Sequence, residues 1–324
     1  MRQTAWHTLC MIDEWSSTGI GVPKQIKEPS TDVPLPMEEL AFLALRKTDS
    51  IDQTWWAEEP PSPPTSLLAH MVLLNRILVD VNQLNKQAVD EKMPAPDDAA
   101  VMALTTRLDE WEAGLPAFIR DNPANLAHYA GQGLGRIFVA VYLGYYHFGQ
   151  LLYYQYLHGA SEDSSGDFEI FSQRCKWHAA RLCNMIYSAW ETQDVDCSYN
   201  MIGHVLVIAS TVQIHTMLFS ADGDEIAAAR QRLERNFKIL LRLRELWPSL
   251  DFCMMRLQAF HKACRTSQDS SFRLDRWMLK FLSEFAKPVD DKPSPSDWII
   301  GDIAITPSSD FGFSANNIQD LIGA

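Results

Sequence analysis

From residue 65 to residue 285 the apolar residues of this chain recur every three or four positions, stretch after stretch. That period matches the turn of an α-helix and not the two-residue pleat of a strand. Leu67, Met71, Leu74, Leu78 and Val81 make the first stripe, over 65–90. Pro94 and Pro96 break it, and Asp97 is placed to cap a second helix carrying Val101, Leu104, Leu108 and Trp111. Leu115 and Pro116 close that helix. Further helices are predicted over 134–158, 168–191, 199–219 and 225–247, with a last one over 272–285. Cys175, Ala179, Leu182, Ile186 and Ala189 mark one buried face, and Leu233, Phe237, Leu240, Leu243 and Trp247 another. Pro248 can open the helix that follows, because a first-turn proline has no N–H to miss. The joints at 59–64, 160–167 and 221–224 are rich in Pro or in Ser, Gly and Asp. No segment alternates apolar with polar residues, and no repeat of fixed period is present. The expected fold class is therefore all-α: one irregular multi-helix domain over 1–288 with Pro-rich connecting loops, then a disordered acidic tail over 289–324.

Composition narrows the function. With 324 residues and 47% hydrophobic content the chain can bury a large core. A formal charge of −13 opposes binding to phosphate backbones, and no Lys/Arg block reads as a nuclear localisation signal. Cys10, Cys175, Cys183, Cys197, Cys253 and Cys264 are scattered, with no Cys-x-x-Cys among them. A short zinc module needs close-set ligands, so these thiols are read as small buried hydrophobes of a reducing compartment. No secretory signal is read before the first helix.

Several constellations invite chemistry and are read structurally. Residues 137–161 hold no Asp, Glu, Lys or Arg, which is long enough for a membrane span. Gly144, His147, Gly149, Gln150 and many Tyr would be unsatisfied in lipid, so a central core helix is expected. Gly131, Gly133 and Gly135 follow no strand and precede no Lys-Ser/Thr, so they read as a flexible helix entry rather than a phosphate loop. His204 and His215 lie eleven residues apart, about three helical turns, too far to share one metal. Asp222, Asp224, Glu225, Asp290 and Asp291 raise the question of an all-α terpene cyclase, but they sit at loop positions suited to capping or solvation. No catalytic, cofactor-binding or metal-ligating residue is assigned.

The N-terminal stretch is the most distinctive. Trp6, Leu9, Cys10, Asp13 and Ser17 fall at helical spacing; Gly19 and Gly21 then end the helix, and Pro23, Pro29, Pro34 and Pro36 stiffen the loop. The order of features resembles the middle homology region of fungal zinc-cluster (Zn2Cys6) transcription factors. Arg2, Trp6, Asp13, Gly21, Pro23, Leu35 and Pro36 match that signature, as do Ile26 and Asp32, while Glu14 and Val22 stand where the family carries Arg. Tyr145 and Tyr146 with Leu151 and Leu152, then Cys175, Ala179 and Ala180, then Leu240, Leu243 and Trp247, continue the resemblance to about residue 285.

The resemblance implies an effector-sensing regulatory domain of an RNA polymerase II transcription factor, nuclear and not an enzyme. Its implied partners are the transcription machinery or a coactivator protein, with a small-molecule effector and a homodimer both open. Direct nucleic-acid binding and membrane association by this chain are not expected. In the family the DNA-binding zinc cluster precedes the signature. The chain is therefore expected to be N-terminally incomplete, with zinc only in the missing module and no cofactor of its own. Trp298, Phe311 and Phe313, spread among six Asp after Pro288, form a candidate activation tail. The alternative function is an all-α metal-dependent enzyme of the terpene-cyclase type, and a membrane-associated helical protein comes third.

Overall fold

Among the described residues every regular element is a helix, and side-chain caps explain where five of the eleven α-helices start. The computed structural model describes residues 2–26, 33–44, 64–91, 97–158, 166–195, 197–268 and 270–293. Among these are eleven α-helices and no strand: α1 (Arg2–Ile20), α2 (Glu39–Ala44), α3 (Leu67–Asp90), α4 (Asp98–Ala113), α5 (Pro123–Gly131), α6 (Gly135–Tyr153), α7 (Gly166–Glu191), α8 (Met201–Phe219), α9 (Gly223–Leu246), α10 (Asp251–Thr266) and α11 (Arg276–Ser283). Ser66, Asp97, Asn122 and Asp275 each accept a hydrogen bond from the amide three residues on, at α3, α4, α5 and α11. Asp222 does the same for Asp224 at the start of α9. Pro248 opens a short 3-10 turn (Pro248–Leu250) that runs into α10.

The structure departs from the sequence expectation in four places. α2 and α5 were not anticipated, because six and nine residues are too few to show a period. The last helix is shorter than 272–285: residues Ser270–Phe272 form a 3-10 turn, and Asp275 restarts the helix at Arg276. The glycine run before α6 is a fixed corner rather than a flexible entry. Gly133 has φ +73°, and the amides of Gly133 and Leu134 close back on Ala130 and Tyr129. Of the stripe expected on α1, Ser17 is buried, Trp6, Cys10 and Asp13 are half-buried and Leu9 is 55% exposed; the buried His7 and Glu14 were not read as part of it.

α6 runs through the middle, buried on nearly all sides. Its tyrosines point their hydroxyls at the surrounding helices. Tyr142 donates to the carbonyl of Ile119, Tyr145 to Glu112, Tyr146 to Asp121 and Tyr153 to Thr105. A helix without a charged side chain after Arg136 thus keeps its tyrosine hydroxyls satisfied inside protein. α7 crosses it closely where Gly149 meets His178, and α8 packs between α7 and α9. α3 and α8 have the length and composition to cross a membrane; here α8 is buried over most of its length and α3 over half. His204 and His215 are both buried on α8, the first beside His147 and the second bonded to the carbonyl of Leu157. Five of the six cysteines are buried and all six are free.

Candidate functional site: a cavity beneath the first helix

α1 ends in a left-handed cap. Gly21 has φ +64°; its amide bonds the carbonyl of Thr18, and that of Val22 bonds Ser17. The chain then folds back along α1 and is pinned from several sides. Asp13 accepts from the amides of Ile26 at 2.8 Å and Gln25 at 3.0 Å, and from the Ser17 hydroxyl at 3.3 Å. The amide of Ile26 above all holds its carboxyl below the usual carboxylate range. The buried His7 ring bonds the carbonyl of Pro34 at 3.0 Å, and the nearly buried Glu14 pairs with Lys24 at 2.9 Å. Farther on, the buried Glu39 accepts from the Ser66 hydroxyl and from the amides of Leu67 and Leu68. It thereby fixes α2 to the positive end of α3.

The other end of the chain meets α1 at the same place. Beyond α11, the amide of Ala286 donates to the carbonyl of Gly19 at 3.0 Å. The Phe285 ring lies so close that a Cβ on Gly19 would stand 2.5 Å from it. Arg256, 1% exposed, reaches from α10 and donates to the carbonyls of Lys280, Glu284 and Lys287. It satisfies the end of α11 and sets the course of 284–287. Residues 289–293 continue onto the helical body: Val289 packs on the core, Trp277 donates to the carbonyl of Asp290, and Lys292 pairs with Asp275 at 2.9 Å.

Between α1, α3, α6, α8 and the Phe285 segment lies a cavity of about 560 Å³. Met11, Ile12 and Trp15 of α1 wall it on one side, with Leu74, Phe148 and Val205 opposite. Trp15 is its centrepiece. The indole N–H donates to Asn75 at 3.0 Å, and the ring stacks on His147 at 5.8 Å and approaches Phe285 at 6.5 Å. Behind Trp15 and Phe285, His147 and His204 meet edge to face at 5.5 Å, each fully buried. Burial pushes the His147 imidazole down to about 3 and that of His204 well below its ordinary value, so both are neutral. Among the described residues, no Asp, Glu, Lys, Arg, His or Cys lines the cavity. Its wall offers apolar contact and a few neutral hydrogen-bonding groups.

The signature residues read from the sequence build the frame of this site rather than its wall. Arg2 begins α1, and Trp6 is half-buried with its indole nitrogen shielded. Asp13, Gly21 and Pro23 shape the turn, Leu35 is half-buried and Pro36 is buried. Of these, Trp6, Asp13, Gly21, Pro23, Leu35 and Pro36 do not line the cavity. Trp298, Phe311 and Phe313, like Asp32, lie outside the described residues. Among the described residues no group of three or more His, Cys, Asp or Glu could hold a metal ion. The residues that make the cavity were not legible as a set, since they come from five separate segments. The one local signal was Gly144, a gap among the large side chains of α6. No family model, no curated protein and no solved structure matches the chain.

Proposed function

We propose that this chain is the effector-sensing regulatory domain of a fungal RNA polymerase II transcription factor of the zinc-cluster type. It would act in the nucleus without catalytic chemistry and without a zinc cluster of its own in residues 1–324. One observation carries the sensing role: the cavity is walled on one side by α1 and on another by Phe285 and Ala286. A molecule bound there touches both ends of the folded body at once. The segment after Pro293, with Trp298, Phe311 and Phe313, would present acidic and aromatic side chains to a coactivator. The motif order around Asp13, Gly21 and Pro23 supports the family reading. The alternative, an all-α cyclase, would need carboxylates to hold magnesium and diphosphate, and among the described residues of the cavity wall there is none.

The test is a reporter assay in a fungal host with the full chain fused to an unrelated DNA-binding module. The fusion should activate, and changing Trp298, Phe311 and Phe313 together to Ala should abolish activation while leaving the helical body folded. Output no different from the bare module would reject the regulatory reading.

A further inference from the structure

The chemistry of the cavity wall specifies what it takes. We infer that the site beneath α1 binds an uncharged, mainly apolar small molecule. This deepens, and rests on, the reading of the cavity as an effector site.

Two observations lead there. The first is size: about 560 Å³ falls within the ~300–1,000 Å³ usual for sites that enclose a small organic ligand. The second is that, among the described residues, no ionisable side chain other than Tyr199 stands in the wall. Moving an ion into such a place strips its hydration and returns no countercharge, so carboxylates, phosphates and ammonium groups are rejected. The chain's net charge of −13 adds a long-range bias against anions. Of the neutral polar groups in the wall, Asn75 is already occupied: it accepts from Trp15 and donates to the carbonyl of Met71.

Gly144 makes the inference testable. A Cβ built there meets only the Phe148 ring, at 3.5 Å, which is ordinary contact. A larger side chain at this position therefore grows into the cavity rather than into packed protein.

The experiment uses the purified full chain and the neutral fluorophore N-phenyl-1-naphthylamine at pH 8, displaced by 1-decanol, decanoate or decylammonium. The probe should bind, and 1-decanol should displace it at about tenfold or more lower concentration than either charged analogue. Gly144→Leu should lose probe binding at least tenfold while keeping its helical signal and a cooperative thermal transition. Ala140→Leu, on the same wall one turn earlier, serves if the first variant does not fold. Absence of probe binding, binding undiminished in both cavity-filling variants, or equal displacement by decanoate would overturn the inference. These outcomes are independent of the reporter assay: a fusion can activate without taking decanol, and a chain that takes decanol can leave the reporter silent.

Discussion

Single residues hold this fold at places where no substitute fits. Gly19 is one. It lies under the Phe285 ring, and Gly19→Ala would force that ring off α1. The cost expected from overpacking is about 1–3 kcal/mol, measured by urea denaturation, with a loss of burial at Phe285. The histidines are a second case. In His147 and His178 burial lowers the imidazole to about 3, and His215 sits at about 4. Their unfolded values are near the ordinary ~6.5, so below that pH the unfolded chain binds protons that the folded chain refuses. Stability is therefore full above about pH 6.5 and is lost as pH falls toward the folded values. His147→Phe should flatten that loss by about 1.4 kcal/mol per pH unit near pH 5. A stability–pH slope the same in variant and parent would show that His147 is already protonated in the fold.

At the scale of elements, the helices were legible where they carried a long stripe, and a cap helped only beside one: the caps Asn122 of α5 and Asp275 of α11 went unread. Asp97 and Asp222 cap α4 and α9. Pro248 opens the turn into α10. What stayed hidden was held by tertiary contacts. α2 exists because Glu39 reaches the start of α3, a partner 27 residues away. α1 was assigned its helix, but His7 and Glu14 of its buried face were missed, because their partners Pro34 and Lys24 lie in the return loop. Asp13→Ala removes the acceptor for the amides of Gln25 and Ile26, so trypsin cleavage after Lys24 should speed up severalfold while α1 stays helical. Unchanged cleavage would mean that His7 and Glu14 alone hold the loop. α11 depends on one buried cation. Arg256→Met leaves the carbonyls of Lys280, Glu284 and Lys287 without their donor, which should cost about 1–3 kcal/mol. Hydrogen exchange should quicken first in 280–287, and a uniform change across the body would contradict a local role.

For the whole molecule, the all-α class followed from the apolar period alone, whereas the site did not. The residues that resembled a family signature turned out to be turn-formers around α1. The cavity they frame is assembled from α1, α3, α6, α8 and the Phe285 segment, which no local pattern relates. Such a site depends on distance in space, and a sequence read along the chain registers only distance in residues. The central claim is that the cavity joins the two ends of the folded body, so that filling it steadies both. The most direct measurement is hydrogen–deuterium exchange of the full chain with and without saturating 1-decanol. Exchange should slow in α1 and in 276–287 together, and Gly144→Leu should show that slowing without ligand. Protection confined to one end, or placed on α9 and α10 instead, would contradict the claim.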